Sequence, residues 1–347
     1  MKQYLDLLDN IVKNGREKES GRSNMPNTFG LSRGTILMEN VEENFPLLTT
    51  KKMYLKGIIL ELLWFLRGET NIKYLVDNNV NIWNGDAYRW YLKKRGEMSV
   101  TTDFFLSTQE SFVQVIKEGS GIAHLDVREF DWFPNYRLGD LGKVYGYQWR
   151  NQNGVDQIKD IVDELKNNPY GRYKILDGWN KRDFPEMALP PCHLLYQFIV
   201  RPMTFEERRN LYPQNIPNLY SHEDLNVLNT PKYYLDLNMY QRSCDTLLGV
   251  PFNIASMSIL LMIMAKVSNM VAGDAFWIGG DTHIYVDHIS MVKEQLGREP
   301  YALPKLIIKK KLNTLDDILA LTLEDFELLG YESHPAIKAE LFTGLKK

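Results

Sequence analysis

Cys192 is the residue of this chain best suited to covalent chemistry. It lies in the sequence Leu189-Pro190-Pro191-Cys192-His193, where two prolines fix the backbone immediately before the thiol. A cysteine becomes a nucleophile when nearby cationic groups favour its thiolate. Residue type alone favours an inert buried cysteine, and a zinc site that includes Cys244 is a further alternative. No pair of cysteines or histidines shows the short spacing of a structural zinc site, so the sequence predicts no metal.

A second group of reactive side chains lies in Tyr240-Gln241-Arg242-Ser243-Cys244-Asp245, and Asn253 follows a few residues later. Arginine and serine together suit an oxyanion such as phosphate, because one offers a forked donor and the other a hydroxyl. The amide of Asn253 both donates and accepts, so it could read a base edge that does the same. A surface strand end with an ordinary ion pair, followed by a helix N-cap, is the alternative.

Glu61 is an acid inside an apolar helix. Residues 56–70 predict a helix whose apolar side chains cover most of its circumference, which is typical of a buried helix. A buried carboxylate is costly unless it is paired or protonated, and burial raises its pKa. Such groups are frequent in active sites, although a structural ion pair would also explain this one. Further on, His283 and Tyr285 would share one face of a strand, either as site residues or as core residues.

The remaining pattern supplies the framework for these residues. It predicts helices at 4–12, 155–166 and 252–271 and strands at 194–200, 234–240 and 306–308. Gly273 would close the long helix, and residues 16–34 are typical of a loop with short strands. The segment 84–137 has no clear period and 201–231 is rich in proline and polar residues, which favours surface insertions. We therefore interpret 1–347 as a single domain with those two insertions.

Composition and charge exclude several classes of protein. With 41 basic and 44 acidic residues the formal net charge is −3, so the chain lacks the basic surplus of a general nucleic-acid binder. The longest strongly apolar run, Ile259 to Ala265, is too short for a membrane span, and the first residues contain no signal-peptide core. Two cysteines cannot build a disulfide framework, which fits a reducing compartment. We expect a cytoplasmic protein, in the host cytoplasm if it is viral, with no membrane or nucleic-acid partner.

The order of these motifs resembles that of the thymidylate synthase family. The resemblance covers roughly residues 45–83, 138–200 and 232–339. Besides the Cys192 and Arg242 motifs, it is carried by Phe45-Pro46-Leu47-Leu48-Thr49-Thr50-Lys51, Glu61-Leu62-Leu63-Trp64-Phe65, Val144-Tyr145-Gly146, Gly249-Val250-Pro251-Phe252-Asn253-Ile254-Ala255-Ser256 and Gly279-Gly280-Asp281-Thr282-His283. It implies an α+β fold with a large mixed β-sheet backed by helices, and a homodimer formed by sheet-to-sheet packing. The implied substrates are dUMP and 5,10-methylenetetrahydrofolate, with no metal.

The resemblance also implies a role for each matching residue of a nucleotide site. Cys192 would add to C6 of uracil and turn C5 into a nucleophile, while Asn253 would bond O4 and N3 of the base. Arg242 and Ser243 would hold the phosphate, and Arg242 would also favour the thiolate. The other residues implied at the nucleotide are Arg22, Gln241, the partner subunit's Arg172, and His283 and Tyr285 at the 3′-hydroxyl of the deoxyribose.

Other matching residues would serve the folate and the protons. Glu61 and Tyr145 would move protons through ordered water, and Asp245 would contact the pterin and the water network beside the base. The folate pocket would be lined by Trp83, Leu248, Gly249 and Phe252, and Lys51 would meet the glutamate tail of the folate.

Three departures from the family pattern affect the choice of product. Residues 21–28, which include Pro26, stand in place of the usual N-terminal phosphate loop. Arg172-Tyr173 stands where the family has two arginines, and the terminus at 340–347 is longer and basic. An altered lid could admit water to the exocyclic methylene that is left on the base after carbon transfer. Hydride transfer would give dTMP, whereas water would give 5-hydroxymethyl-dUMP and tetrahydrofolate.

Three hypotheses follow from these features. The first is a divergent, perhaps phage-type, thymidylate synthase, and the second is a dUMP hydroxymethylase of the same family. The third is a pseudoenzyme or mRNA-binding relative that keeps only the fold. It is disfavoured because the nucleophile, the phosphate arginine, the base reader and the folate residues are all present. Formation of dihydrofolate separates the first two.

Overall fold

A seven-stranded sheet with the helices that cover it, and a separate two-stranded sheet, make up the described part of the chain. The structure, a computed structural model, describes residues 1–21, 24–97, 106–118, 137–213 and 221–342. Its helices are α1 (Lys2–Asn14), α2 (Leu55–Leu66), α3 (Lys73–Asp77), α4 (Asn84–Glu97), α5 (Gln109–Glu118), α6 (Tyr145–Asn151), α7 (Gln157–Asn167), α8 (Phe205–Arg209), α9 (His222–Val227), α10 (Gly249–Val267), α11 (Ile289–Leu296) and α12 (Leu315–Leu319). Its strands are β1 (Arg16–Lys18), β2 (Thr28–Leu31), β3 (Gly34–Met38), β4 (Ile175–Asp177), β5 (His193–Pro202), β6 (Tyr233–Asp245), β7 (Val271–Tyr285), β8 (Lys305–Ile308) and β9 (Phe326–Leu329).

The large sheet is mixed, as the resemblance implies. Its strands follow the order β1-β2-β7-β6-β5-β4, and β3 pairs with another part of β7. β6 and β7 are parallel, whereas β5 and β6 are antiparallel. The register sets His193 opposite Gln241 and Asp245 opposite His283. The start of β5 and the ends of β6 and β7 therefore meet at one end of the sheet, which confirms the α+β architecture and gathers the candidate residues there.

Two apolar helices, α2 and α10, form the core behind this sheet. α10 packs against β6, β7 and α2. Among the described residues it is the one helix long and apolar enough to cross a membrane, but 78% of its most apolar window is buried inside the protein, as in a core helix. From residue 57 to residue 66 of α2, every residue is buried except Glu61, which is partly exposed. α2 ends at Leu66 rather than at residue 70, because Gly68 turns the chain with a φ of 74°.

The boundary between α10 and β7 lies elsewhere than the sequence predicts. The predicted helix 252–271 is wrong at both ends, because α10 spans Gly249–Val267 and residue 271 already begins β7. Asn269 turns the chain with a φ of 53°, and apolar residues on both sides conceal this turn from the hydrophobic pattern. Gly273 does not close the helix. It lies inside β7, where a Cβ would come within 2.1 Å of Asp236 Oδ1.

The described part of segment 84–137 is helical and packs on the core, contrary to the surface insertion that the sequence predicts. It contains α4 and α5. The rings of Tyr88 and Tyr91 lie 5.5 and 5.3 Å from the ring of Phe112, which is completely buried. In α4, buried side chains are adjacent in sequence as well as one turn apart. Their spacing therefore does not show the 3.6-residue period by which an amphipathic helix is recognised.

The sequence predicts an inserted loop at 201–231, but the described part of this segment contains two short helices. α8 and α9 each begin with a capping box, at Thr204 and at Ser221. Arg208 is buried between them and donates to the carbonyls of Pro231 and Thr230 and to the side chain of Asn226. This arginine ties the segment into one unit.

Candidate active site

Cys192 lies just before β5, partly exposed, with the Arg242 guanidinium beside its sulfur. Arg242 Nη2 is 3.9 Å from Cys192 Sγ, and the same side chain donates to the carbonyls of Pro190 and Pro191 at 2.9 and 2.8 Å. The Arg242 backbone N–H also donates to the Cys192 carbonyl at 2.8 Å. The main chain around the two prolines therefore fixes the guanidinium next to the thiol, where a cation favours a thiolate.

Tyr145 and His193 form a wall behind the thiol. The backbone N–H of Cys192 donates to Tyr145 Oη at 2.6 Å, and the Tyr145 ring stacks on His193 with centroids 4.4 Å apart. Burial lowers the pKa of His193 to about 3, and the Tyr196 hydroxyl lies 2.7 Å from its Nδ1. His193 is therefore neutral at neutral pH, and the positive charge beside the thiol comes from Arg242.

Glu61 lies near Tyr145 and is held by an indole. Trp83 Nε1 donates to Glu61 Oε1 at 2.7 Å, and the Trp83 ring lies 5.9 Å from that of Tyr145. Burial raises the pKa of Glu61 to about 7, and the bond from Trp83 opposes this rise. Burial likewise raises the pKa of Tyr145. Glu61 is thus an acid inside an apolar helix, as expected. The hydrogen bond it accepts comes from an indole rather than from a cation.

Asn253 is oriented by a chain of hydrogen bonds behind it. Trp277 Nε1 donates to Gln241 Oε1 at 2.9 Å, and Gln241 Nε2 donates to Asn253 Oδ1 and to the Ser243 carbonyl, both at 3.0 Å. α10 begins at Gly249, so Asn253 lies one turn inside the helix and is not its N-cap. The capping alternative is therefore wrong, and the Asn253 amide is held in one orientation.

Asp245 shapes the turn between β6 and α10. Its Oδ1 accepts from the backbone N–H groups of Leu247 and Leu248 at 3.2 and 3.1 Å. A Cβ on Gly249 would lie 3.6 Å from Asp245 Cβ and 3.7 Å from Asn253 Oδ1, so this glycine sits between the two polar side chains. Leu248 and the half-buried Phe252 lie one turn apart and offer apolar surface beside them.

Lys51 supports the same turn from below. The residue is buried, and its Nζ donates to the carbonyl of Leu247. Burial lowers the pKa of Lys51 to about 8, and the negative charge of Asp245 opposes this shift. The ammonium thus points at the turn in this structure, and its contact with a glutamate tail stays a prediction.

His283 and Tyr285 lie on one face of β7, with ring centroids 5.5 Å apart. His283 Nδ1 is 3.1 Å from the carbonyl of Asp281, whose carboxylate forms an ion pair with Lys18 at 2.8 Å. The hydrogen bond from His283, together with Lys18, holds the pKa of Asp281 at about 2. β7 therefore presents an imidazole and a phenol side by side. Both lie close to Asp245, because Asp245 is paired with His283 in the strand register.

Arg172, which is predicted to reach the phosphate of the partner subunit, is not part of this cluster. Arg172 is exposed on the loop between α7 and β4. Arg22 lies outside the described residues, as do Ser23 and residues 343–347. The altered N-terminal loop and the basic end of the tail are therefore only partly described.

Comparison with known proteins identifies the family of this site. The family model described as thymidylate synthase matches residues 2–343. The chain belongs to the thymidylate synthase family. A thymidylate synthase of Mycoplasma mobile is 42% identical over 342 residues, which cover 98% of this chain and 99% of that protein. Thymidylate synthases of Malacoplasma penetrans and Listeria innocua are 41% and 37% identical, again over 98% of this chain and 99% of each relative.

The length of the relatives bears on the two predicted insertions. The alignment with the Mycoplasma mobile protein covers almost all of both chains, so the two proteins have nearly the same length. This relative is therefore long enough to contain segments of the size of 84–137 and 201–231. The three relatives come from bacteria, and the phage-type origin considered above stays untested.

Two residues that build this site are not marked by the sequence patterns. Trp277 has no predicted role and His193 is predicted only as the neighbour of Cys192, yet one orients Gln241 and the other stacks on Tyr145. An indole N–H in an apolar strand needs an acceptor when it is buried, and this is a usable signal. The acceptor itself lies 36 residues away on a neighbouring strand, so only the register of the sheet reveals it.

Proposed function

We propose that the chain converts dUMP to dTMP, taking one carbon and a hydride from 5,10-methylenetetrahydrofolate. The observation that carries this proposal is the Cys192 thiol, with a guanidinium 3.9 Å from its sulfur, in a chain of the thymidylate synthase family. A thiol in that setting is equipped for nucleophilic attack. A reducing, cytoplasmic compartment would keep it available.

Cys192 starts the reaction by adding to C6 of the uracil ring. Arg242 favours the thiolate that attacks, and the addition leaves C5 as the nucleophile that takes up the new carbon. Asn253 bonds O4 and N3 of the ring, and its orientation by Gln241 matches that task. Cytosine reverses the donor and acceptor at this edge, so the same amide selects uracil.

Glu61 and Tyr145 handle the protons of the reaction. With a pKa of about 7, Glu61 populates both its protonation states near neutral pH, which suits a group that accepts and returns protons. Tyr145 contacts the backbone of the nucleophile directly, at Cys192 N. Ordered water would link the two side chains to the base.

The folate cosubstrate is held by the apolar and aromatic surface beside these groups. Trp83, Leu248 and Phe252 offer flat and apolar surface suited to a pterin, and Gly249 leaves room next to Asp245. When bound, the folate supplies the methylene carbon and the hydride. Asp245 contacts the pterin, and Lys51 meets the glutamate tail if its ammonium leaves the Leu247 carbonyl.

The nucleotide phosphate is bound by groups from two subunits. Arg242, Ser243 and Arg22 come from one protomer, and Arg172 of the partner subunit completes the site. Gln241 acts at the nucleotide through Asn253, whose amide it orients. His283 and Tyr285 bond the 3′-hydroxyl of the deoxyribose.

A sheet-to-sheet homodimer is supported by the open face of the large sheet. Ile175, Ile199 and Tyr240 are each about two-fifths exposed. The strand register places them on the same face, because Ile175 is opposite Gln197 and Tyr240 is opposite Leu195. An apolar face of this kind suits burial against a second copy.

The experiment that tests the function is an incubation with dUMP and methylenetetrahydrofolate. We expect dihydrofolate and dTMP to form in equal amounts. The absorbance of dihydrofolate measures the first, and mass spectrometry measures the second. A hydroxymethylated nucleotide without dihydrofolate would overturn hydride transfer and indicate the hydroxymethylase. A Cys192→Ser variant as active as the parent in tritium release from C5 of dUMP would overturn the thiol mechanism.

A further inference from the structure

Lys174 is one of the largest fully buried side chains in the described part of the chain, with 1% of its surface exposed. It lies one residue before β4, at a position that faces the core, where an apolar residue would normally be found. Lysine is almost never fully buried unless its ammonium has partners. The proposed reaction gives this residue no task, so its burial calls for another explanation.

The Lys174 ammonium binds the loop between α7 and β4. Its Nζ donates to the carbonyl of Gly171 and lies 3.5 Å from the carbonyl of Asn168. Asn168 is the C-cap of α7, so the ammonium sits at the negative end of that helix. Burial lowers the pKa of Lys174, and the negative charge of Glu164 opposes this shift. Backbone carbonyls of the loop itself therefore provide the hydrogen-bond acceptors for this buried ammonium.

The loop that Lys174 holds is closed tightly. Gly171 N–H donates to the Asn168 carbonyl at 2.9 Å. A Cβ on Gly171 would come within 2.5 Å of Asn168 Nδ2 and 2.6 Å of Glu164 Oε2, so these two side chains lie against the loop backbone. The backbone of Lys174 is fixed as well, because its carbonyl accepts from Phe198 N–H at 2.9 Å.

The closed loop projects its next two residues away from the protein. Arg172 is exposed, and Tyr173 is 85% exposed. Arginine has a long flexible side chain, and ordering its backbone lowers the entropy lost when the guanidinium binds an anion. A buried ammonium under the loop supplies that order, whereas an apolar side chain at 174 would leave the loop carbonyls without this donor.

We propose that Lys174 is a positioning residue, which fixes the loop 168–173 so that Arg172 reaches the nucleotide phosphate of the second subunit. This inference rests on the proposed function, in which the partner subunit's Arg172 binds that phosphate. Lys174 itself touches no substrate. It acts on the affinity for dUMP and leaves the chemical step at Cys192 unchanged.

The test is a double-mutant cycle between Lys174→Met and Arg172→Ala. Methionine keeps the length and apolar stem of lysine and removes its donors. We expect Lys174→Met to raise the KM for dUMP about three- to tenfold, the range of one lost hydrogen bond, with kcat within about twofold of the parent. In the Arg172→Ala background it should change the KM by less than about twofold. Lys159→Met, which removes an exposed ion pair with Asp163 on the same helix, is the matched control and should leave KM unchanged.

A second readout does not depend on activity. Trypsin cleaves after Arg172, and we expect Lys174→Met to be cut there at least about threefold faster than the Lys159→Met control, because the loop has lost its anchor. Lys174→Gln, which keeps amide donors, replaces Lys174→Met if that variant does not fold. Light scattering checks that the variants keep the oligomeric state of the parent.

The outcomes separate the proposal from the function on which it rests. If Lys174→Met raises the KM equally in both backgrounds, or lowers only the melting temperature, the positioning role is wrong. If cleavage after Arg172 is no faster in the variant, the anchoring of the loop is wrong, whether or not the protein turns over dUMP. If Arg172→Ala alone leaves the KM unchanged while the parent is active, the assignment of Arg172 to the phosphate fails instead.

Discussion

The Trp83 indole donates to the Glu61 carboxylate across 2.7 Å, and this bond opposes the effect of burial on the acid. Burial alone favours the neutral carboxyl, whereas a donated hydrogen bond favours the charged one. The two effects leave the pKa of Glu61 at about 7. Trp83 therefore lowers the pKa of the acid, and the proposed folate pocket would place cosubstrate binding at the same residue.

Trp83→Phe should move the Glu61 titration to higher pH. Phenylalanine keeps an aromatic ring but has no N–H, so the charged carboxylate loses its donor. We expect the limb near pH 7 in the pH profile of kcat to shift upward by about one unit, the equivalent of one hydrogen bond. The profile is measured at saturating folate, so that weaker folate binding by the variant does not affect the measured kcat. Glu61→Gln is the control and should lack this limb, and an unmoved limb in Trp83→Phe would contradict the role of the indole.

The same acid predicts how stability changes with pH. The pKa of Glu61 is about 7 in the folded protein, against an ordinary value of 4.5. Between these values the folded state binds more protons than the unfolded state, so stability falls as pH rises through this window. We expect the parent to lose on the order of 2 kcal/mol between pH 4.5 and 7.5 relative to Glu61→Gln, because glutamine cannot ionise. Melting temperatures of the two proteins across that range provide the measurement, and parallel curves would contradict the raised pKa.

Arg242→Gln should make the Cys192 thiol less reactive and weaken nucleotide binding. The substitution removes the cation beside the sulfur, so the thiolate is less favoured. Alkylation of Cys192 by iodoacetamide should slow about tenfold or more, and dUMP binding should weaken by about 1.5–3 kcal/mol. Cys244 is buried and burial raises its pKa, so its slow alkylation in the same sample is the internal control. Equal alkylation rates of Cys192 in parent and variant would show that another group activates the thiol.

Sequence patterns predicted what depends on local order, and missed what depends on distant partners. Glu61 stands out because one acid interrupts an apolar helix, and Cys192 because two prolines precede it. The resemblance implies Trp83 only as a folate residue, and Trp277 has no predicted role. Their bonds to Glu61 and Gln241 are visible only in the structure, because they span 22 and 36 residues of chain.

The errors in the predicted framework also have a physical cause. Hydrophobicity continues from α10 into β7, so the pattern could not reveal the turn at Asn269. The family resemblance supplied roles but not orientations. It implies that Lys51 meets a folate tail, whereas the structure points the ammonium at the carbonyl of Leu247.

Asn253→Asp should shift the preference from dUMP towards dCMP. Gln241 Nε2 donates to Asn253 Oδ1, and an aspartate oxygen keeps that bond, so the variant should fold. The exchanged group loses the amide donor and can accept from the exocyclic amine of cytosine. We expect the ratio of kcat/KM for dCMP over dUMP to rise by at least about tenfold, the scale of one discriminating hydrogen bond. An unchanged ratio would mean that Asn253 only supports the helix.

Phe342→Ala should loosen the described end of the tail from the nucleotide site. The Phe342 ring lies 4.8 Å from that of Tyr285 and 5.0 Å from that of His288. The tail reaches this place along His334, whose N–H donates to the Thr49 carbonyl at 2.8 Å, and Arg298, which donates to the Pro335 carbonyl at 2.7 Å.

Removing the Phe342 ring takes packing from Tyr285 and weakens cover over the site. The KM for dUMP should therefore rise about threefold or more, because lost aromatic packing costs about 0.5–1.5 kcal/mol. Water admitted by a looser tail should also divert part of the exocyclic methylene to 5-hydroxymethyl-dUMP, measured by mass spectrometry against dTMP. Leu341→Ala is the matched control, because Leu341 is half exposed next to it in the tail and should change neither quantity. If Phe342→Ala and Leu341→Ala behave alike, the ring contact with Tyr285 plays no part in closing the site.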